Sequence, residues 1–333
     1  MERSGGTGRP EYQNPMSSVL RLIEYLGIRA LAAVLRAIPL RACDALMVAL
    51  ARVVFRLDGR HRRRAVQHLR IAYGDEFPEA DAEALARRVF EHIGRHAAAF
   101  VHAPQGGSGG FRLHRPEVLL DAVAAGKGVV LVSAHLGYFT SLAPVLRSLN
   151  VRSTVLLKRQ HNERLLLWFQ DCLRRWHGMD SFVKSEALEK TPGRLREGQA
   201  VIFFADQHPV LGGIPASFFS RPVEAATGPA LFARRYRAPL VVVTFSVGSD
   251  GTQDVHFDGP VSTEGTLAEI SQRWLDLLEV RIREHPDQWL WMHRRWRKPA
   301  ALDGLRLDRS ASRASDAAES VAQSSRDRIE FRP

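Results

Sequence analysis

Residues 129–149 read VVLVSAHLGYFTSLAPVLRSL, a β-branched run followed by a histidine, a glycine and a segment with helical spacing. The run VVLVSA (129–134) has the length and composition of a buried strand. His135 follows it directly, and the helical pattern starts near residue 138. A buried strand that leads into a helix is typical of α/β proteins with a parallel sheet. In such sheets ligands bind beyond the carboxyl ends of the strands, where His135 stands.

The same alternation continues along the chain. Buried strands are predicted at 151–157, 199–207 and 238–247, with a possible fifth strand at 252–261 and a long helix at 267–286. Helical segments separate them, so the sequence predicts an α/β fold with a mainly parallel central sheet flanked by helices.

Polar residues follow these strands at the expected ligand-binding edge. Besides His135 they are Lys158 and Arg159 after the second strand, and Asp206 and Gln207 after the third. Because the carboxyl ends of parallel strands meet at one edge of a sheet, these side chains are expected to form a site.

Gly137 and the helix near 138 are expected to serve the same site. A glycine lets a ligand approach the backbone closely. The first N–H groups of the helix would then face an oxyanion or a phosphate. A histidine after a strand can also be purely structural, with its ring hydrogen-bonded in the core.

The first 70 residues carry 13 arginines and five acidic residues, a net +8 out of +11 for the chain. Arginines interrupt the apolar stretch 19–57, so no clean run of about 20 apolar residues exists. We predict a helical region that associates with a membrane surface, where arginine stems extend toward lipid phosphates. A buried helical hairpin broken at Pro39 is the alternative. The sequence does not decide whether 17–57 spans a bilayer or lies flat.

The stretch WLWMHRRWRK (289–298) places tryptophans beside arginines, a composition typical of membrane interfaces. No recognition-helix or related motif supports nucleic-acid binding. The residues expected to face the membrane are Arg21, Arg29, Arg36, Trp289 and Trp291.

Cys43 and Cys172 lack metal or disulfide spacing and are expected to be buried thiols.

Composition also suggests how the chain is divided. The predicted segments are a flexible N-terminus (1–15), a helical membrane-associating region (16–110), an α/β domain (111–298) and a disordered tail (299–333).

Several blocks together resemble the late acyltransferases of bacterial lipid A biosynthesis, within the lysophospholipid acyltransferase-like superfamily. HLGYFT (135–140) is similar to the H-x4-D/E motif of that superfamily. The resemblance runs in order over about residues 20–298. Its other blocks are TVLLKRQHNERLLLWFQDCLRRWHG (154–178), GQAVIFFADQHPVLGGIPASFFSRPVEAATGPALFARRYRAPLVVV (198–243) and HPDQWLWMHRRWRK (285–298).

The resemblance implies an acyltransferase at the cytoplasmic face of a bacterial inner membrane, held peripherally or by a single anchor. The donor would be acyl carrier protein or acyl-CoA and the acceptor a lipid hydroxyl or amine, with no metal or bound cofactor. His135 would be the general base. The residues expected to bind substrate are Gly137, Lys158, Arg159, Asp206, Gln207, Arg221, Thr227 and Gly228.

The sequence departs from the family motif at Thr140, where the resemblance implies a carboxylate that orients the imidazole. Three explanations are open. His135 acts alone or with Thr140; another acid, such as Asp206 or Glu224, supplies the charge; or the protein has lost turnover and binds a lipid or a partner.

Overall fold

A computed structural model describes residues 15–74, 77–103, 110–209 and 212–296. The helices are α1 (Pro15–Ala37), α2 (Leu40–Leu57), α3 (Gly59–Tyr73), α4 (Glu79–His102), α5 (Pro116–Ala124), α6 (Leu142–Ser148), α7 (Glu163–His177), α8 (Ala187–Arg196), α9 (Gly228–Tyr236) and α10 (Leu267–Glu284). The strands are β1 (Phe111–His114), β2 (Val129–Ser133), β3 (Ser153–Leu157), β4 (Asp180–Val183), β5 (Ala200–Phe204), β6 (Gly213–Phe218), β7 (Arg221–Ala226), β8 (Leu240–Val247) and β9 (Gln253–Val261).

The central sheet has the strand order β1-β9-β8-β2-β5-β3-β4. Strands β8, β2, β5, β3 and β4 are mutually parallel, whereas β9 runs antiparallel to β8 and pairs with β1 in parallel. The predicted α/β fold with a mainly parallel sheet is therefore confirmed. Strand β2, which precedes His135, lies in the middle between β8 and β5.

Both faces of the sheet are covered by apolar residues. Along β2, Val130 and Val132 point into one core cluster, while Val129 and Leu131 point into the other. This alternation follows from the two-residue period of a strand. Burial on both faces explains why the sequence of β2 is uniformly apolar.

Several elements were not predicted. Strands β1 and β4 have only four residues each and are partly exposed, so they give no buried-strand pattern. Helix α8 contains Pro192, which obscures its helical pattern. Strands β6 and β7 form a separate two-stranded antiparallel hairpin.

The helix expected from residue 138 begins later. The chain first forms one turn of 3₁₀ helix at Phe139–Ser141, and the seven-residue helix α6 starts at Leu142. The expected row of helical N–H groups beside His135 is therefore absent from this segment of the described structure.

The N-terminal helices differ in how they pack. Side chains from α2, α3 and α4, including Phe55, Leu69 and Phe90, join the same core cluster as Val130 of the sheet. Helix α1 and the outer face of α2 instead leave large apolar side chains exposed. None of the described helices is long and apolar enough to cross a membrane.

The tryptophans expected at a membrane interface are buried. Trp289 is 2% exposed and Trp291 is fully buried, so the predicted membrane-facing role of both was wrong. Their rings pack against each other at a centroid distance of 4.7 Å. Cys43 and Cys172 are buried free thiols, as predicted.

The segments 1–14 and 297–333 lie outside the described residues. The flexible N-terminus (1–15) and the disordered tail (299–333) predicted from the sequence therefore stay predictions.

Five histidines have pKa values well below the ordinary value of 6.5, and burial is the main cause in each. The pKa is lowered to about 4 in His68, His92 and His293 and to about 3 in His96 and His256. These imidazoles are neutral in the folded protein at neutral pH.

Lowering the pH should therefore destabilise the fold already at pH values above those at which carboxylates titrate. Between about pH 6.5 and 4 the unfolded chain binds more protons than the folded chain, so stability falls as the pH falls. Each such histidine contributes up to about 1.4 kcal/mol per pH unit. We expect the free energy of unfolding, measured with urea, to be several kcal/mol lower at pH 5 than at pH 7. His96→Asn should reduce that slope, whereas the exposed His161→Asn should not. Equal stability at both pH values would contradict this prediction.

Gly137 has a φ of +58°, and a Cβ at this position would lie 2.5 Å from the carbonyl oxygen of Phe245 on β8. The glycine therefore allows the chain after His135 to contact the backbone of a neighbouring strand. This differs from the expected role of Gly137, which was close approach to a ligand.

Gly137→Ala should be much more destabilising than a matched change. Gly126 also has a positive φ, of +72°, but a Cβ there meets nothing within 4 Å. Gly126→Ala should cost about 1 kcal/mol from backbone strain alone. Gly137→Ala should cost about 3 kcal/mol or more, because β8 must also shift. Urea unfolding of both variants tests this, and equal costs would contradict the account.

Candidate active site

His135 and Asp206 meet because of the register of two neighbouring strands. Ser133, the last residue of β2, is the partner of Phe204, the last residue of β5. The amide of Ala205 donates to the carbonyl of Ser133 at 3.1 Å, an ordinary N–H···O distance. His135 and Asp206 each stand two residues beyond that pair, so their side chains leave the sheet at the same level.

The two residues are joined by two hydrogen bonds. Nδ1 of His135 lies 2.9 Å from Oδ1 of Asp206, and the His135 amide donates to Oδ2 at 3.0 Å. The indole N–H of Trp289 also donates to Oδ2, at 2.9 Å. The side-chain nitrogen Nε2 of Gln207 lies 3.3 Å from His135 Nδ1.

Asp206 is ionised although it is only 1% exposed. Burial alone would raise the pKa of its carboxyl. The charge of His135 and the hydrogen bonds from His135 and Trp289 outweigh burial and lower the pKa to about 2. An ionised carboxylate only accepts hydrogen bonds, so Nδ1 of His135 is the donor in this pair. In the neutral form of the ring, the lone pair is therefore on Nε2.

Aromatic rings surround the imidazole. Phe139 and Phe204 lie 4.8 and 5.1 Å from the His135 ring, measured between centroids, and 5.4 Å from each other. The His135 side chain is still 20% exposed. The ring is therefore held on one side by a carboxylate and apolar neighbours and remains accessible.

Thr140 belongs to a different contact. Its hydroxyl lies 2.8 Å from Nε2 of His96 on α4. The irregular segment after Gly137 turns residue 140 toward that helix. Asp206, which we assigned to substrate binding, instead occupies the position behind the imidazole that the resemblance gives to residue 140.

Three further predicted residues have structural contacts. The Thr227 hydroxyl donates to the Gly212 carbonyl, and it accepts no hydrogen bond from the first turn of α9. A Cβ on Gly228 would lie 3.2 Å from the ring of Phe203. The guanidinium of Arg221 donates to the carbonyl of Ile71.

Cationic side chains lie at the same edge of the sheet as His135. Lys158 and Arg159 follow β3 and are exposed. Lys184 follows β4, which the sequence did not reveal. The pKa of the Lys184 amine is lowered, mainly because neighbouring atoms displace water from it. The negative charge of Asp206 raises this pKa, and the positive charge of Lys158 lowers it. Lys184 is thus within electrostatic range of both the buried carboxylate and Lys158.

The arginines of α1 that were expected to face lipid differ from one another. Arg21 is exposed. Arg29 donates to the hydroxyl of Tyr25, whereas Arg36 donates to the Val101 carbonyl and lies 5.0 Å from the ring of Trp176.

Sequence reasoning missed two residues near the pair. Arg295 is 1% exposed, and burial lowers its pKa to about 10 while Asp206 and Glu224 raise it. His293 also lies within electrostatic range of His135 and Asp206. Both follow the buried tryptophans, and an arginine-rich stretch gives no sequence signal that one arginine is buried. Within the described ranges, no group of three histidine, cysteine or acidic side chains could hold a metal ion.

Comparison with known proteins gives a consistent result. The sequence is 28% identical over 177 residues to the lipid A biosynthesis palmitoleoyltransferase of Escherichia coli (strain K12). It has the same identity, over the same length, to a lipid A biosynthesis acyltransferase of Shigella flexneri. The matched part is 51% of this chain and 56% of each relative, so the chain spans about half the length of the curated relatives it matches.

The family described as bacterial lipid A biosynthesis acyltransferase matches residues 11–298, which include the whole described sheet and the His135–Asp206 pair. The chain therefore belongs to the bacterial lipid A biosynthesis acyltransferase family.

Proposed function

We propose that this protein transfers a fatty acyl chain from the thioester of acyl carrier protein or coenzyme A to a hydroxyl or amine of lipid A or a related lipid. The observation that carries the proposal is the hydrogen bond of 2.9 Å between His135 and the ionised Asp206. Family membership supports the reaction class.

In this mechanism Nε2 of His135 accepts the proton of the acceptor hydroxyl or amine as that group attacks the acyl carbonyl carbon. The new bond to the acceptor forms and the carbon–sulfur bond of the thioester breaks. The thiolate leaves and takes the proton from the imidazolium. Asp206 fixes the tautomer of the ring and stabilises its transient positive charge, as the acid of a serine-protease triad does.

The cations Lys158, Arg159 and Lys184 stand where they could meet phosphate groups of the donor or acceptor. Lysine and arginine bind phosphate through charge-assisted hydrogen bonds. Their position at the carboxyl edge of the sheet supports this role, because His135 projects from the same edge.

Changes at the pair should abolish turnover, while a change at residue 140 should not. His135→Ala should remove acyl transfer from labelled acyl carrier protein to a lipid extract. Asp206→Asn should lower the rate by about 10³- to 10⁴-fold, because the amide cannot offset the imidazolium charge. Thr140→Val should keep activity within about tenfold, since its hydroxyl binds His96. Circular dichroism should show that each variant is folded.

Two outcomes would overturn this mechanism. Full activity in His135→Ala or Asp206→Asn would show that His135 and Asp206 are not the catalytic pair. No transfer by the wild type, with lipid binding unchanged in His135→Ala, would favour a lipid- or partner-binding protein that has lost turnover.

We also propose that α1 and α2 hold the protein peripherally on the cytoplasmic face of a bacterial inner membrane. On these helices Leu20, Ile23, Leu31, Val34, Leu46 and Leu50 are between 48% and 61% exposed. Such a row of exposed apolar side chains, together with arginines, is typical of helices that lie in a membrane interface.

Leu20→Gln with Ile23→Gln should weaken binding to anionic phospholipid vesicles by about tenfold or more. The reason is that two aliphatic side chains, exposed in the free protein, no longer enter the apolar part of the membrane. The matched control is Leu120→Gln with Leu188→Gln, which are exposed leucines on α5 and α8. Equal loss of vesicle binding in both pairs, in flotation assays, would contradict a membrane role for α1.

A further inference from the structure

His96 of helix α4 contacts three consecutive residues of the chain that follows His135. Its ring stacks on Tyr138 at a centroid distance of 5.5 Å and meets Phe139 edge-on at 4.4 Å. Its Nε2 lies 2.8 Å from the hydroxyl of Thr140. A single imidazole from another helix therefore supports the whole stretch 138–140.

The stretch 138–141 has few backbone hydrogen bonds of its own. It forms one turn of 3₁₀ helix, in which the Ser141 amide donates to the Tyr138 carbonyl at 2.8 Å and the Leu142 amide donates to the Phe139 carbonyl. Hydrogen bonds in a 3₁₀ turn have poorer geometry than those of an α-helix. Side-chain contacts with α4 are therefore needed to hold this turn in one conformation.

The two ends of the segment are fixed by other parts of the structure. Before the turn, Leu136 forms an isolated β-bridge with Trp289. After the turn, Leu142 begins helix α6 and is buried in the core on one face of the sheet. The contacts with His96 support the part between these two anchors, which includes Phe139.

Phe139 connects His96 to the ring of His135. Its ring is edge-on to both imidazoles, with centroid distances of 4.4 Å to His96 and 4.8 Å to His135. Phe204 completes the group, 5.4 Å from Phe139 and 5.1 Å from His135. Packed side chains transmit a displacement to their neighbours, because few voids separate them. A shift of Phe139 would therefore release one side of the His135 ring.

His96 is suited to this place because its ring is neutral. Its pKa is lowered to about 3, mainly by burial, and the charges of His92 and His135 lower it as well. The ring therefore adds no positive charge beside an imidazolium that forms on His135. The hydroxyl of Thr140 is a neutral partner for it, whereas a carboxylate at residue 140 would place a charge against His96.

From these contacts we propose that His96 is a positioning residue for the general base. It fixes Phe139, which in turn limits the rotation of the His135 ring, and it keeps the side chain of residue 140 away from that ring. The importance of His96 for turnover rests on the proposed acyl transfer. Its effect on the conformation of the His135 ring does not.

The His135 ring provides the first test, which needs no turnover. Histidine ¹⁵N NMR of the full-length protein measures how fast the proton that Nδ1 donates to Asp206 exchanges with water. This proton should exchange about tenfold faster in His96→Gln than in the wild type, because an aromatic contact that restrains the ring is lost. His96→Phe keeps a ring against Phe139 and should exchange as the wild type does.

Steady-state kinetics of acyl transfer provide the second test. His96→Gln should lower kcat by about 100-fold and change KM by less than about threefold, because a displaced base slows the reaction without weakening substrate binding. Phe139→Leu should cause a similar loss. The variant with both changes should lose no more than the worse single variant, since both act on one contact. His96→Phe should keep kcat within about tenfold of the wild type.

Phe100→Gln is the matched control. Phe100 lies one helical turn beyond His96 on α4, and its ring packs against Phe169 of α7 at 5.9 Å. The change removes a partly buried ring from the same helix. It should lower the free energy of unfolding but leave kcat and the exchange of the Nδ1 proton unchanged. If circular dichroism shows that His96→Gln is unfolded, His96→Leu replaces it, with the same expected losses.

Residue 140 gives an independent test of the second part of the proposal. Thr140→Asp combined with Asp206→Asn places a carboxylate where the family motif expects one. This double variant should stay as slow as Asp206→Asn alone, because the side chain at 140 faces His96. Recovery of most of the wild-type rate would show that residue 140 reaches His135, against the proposal.

Two further results would overturn the proposal. One is wild-type kcat and wild-type exchange of the Nδ1 proton in a folded His96→Gln or His96→Leu. The other is an equal loss of kcat in His96→Gln and Phe100→Gln. If the wild type transfers no acyl chain but the Nδ1 proton still exchanges faster in His96→Gln, the proposed function fails and the positioning of the ring by His96 is supported.

Discussion

The buried carboxylate of Asp206 is the group on which the site depends. A charge at 1% exposure is unfavourable unless donors surround it. Here the donors come from His135 and from the indole of Trp289. Asp206 follows β5, while its donors follow β2 and α10, so all three segments must be correctly placed for the carboxylate to stay ionised. The packing of the sheet and of Trp289 therefore also determines the geometry of the site.

The orientation of His135 follows from the same constraint. Asp206 holds one ring nitrogen and leaves the other with its lone pair, while Phe139 and Phe204 restrict the ring. Gly137 lets the following segment pass against β8, and Thr140 then reaches α4. The acid that the family pattern expects five residues after the histidine is absent here, and the carboxylate beside His135 comes from the neighbouring strand. In a parallel sheet this contact requires only that both residues stand the same number of positions beyond a pair of aligned residues.

Much of this could be predicted from the sequence. The buried strands, the position of His135 at a carboxyl end and the placement of Asp206 at the same edge all follow from local patterns. The pairing between His135 and Asp206 could not be predicted, because it depends on which strands are neighbours and on their register. Asp206 and Glu224 were equally open as the acid. Lys184 was missed because β4 has four residues and no strand-like pattern.

Trp289 and Trp291 were misjudged because tryptophan beside arginine occurs both at membrane interfaces and in cores. The structure distinguishes the two by giving each indole N–H a buried acceptor, the Asp206 carboxylate for Trp289 and the Pro286 carbonyl for Trp291. Most of the exposed large apolar side chains in the described part of the chain lie instead on α1 and α2.

The most direct test of the central claim is the tautomer of His135 in the free protein, read from ¹⁵N-histidine NMR at neutral pH. With Asp206 ionised and accepting from Nδ1, the neutral ring should carry its proton on Nδ1 and its lone pair on Nε2. Asp206→Asn should disturb this state, whereas Thr140→Val should preserve it. A proton on Nε2 in the wild type, or a tautomer that does not respond to Asp206→Asn, would contradict the account.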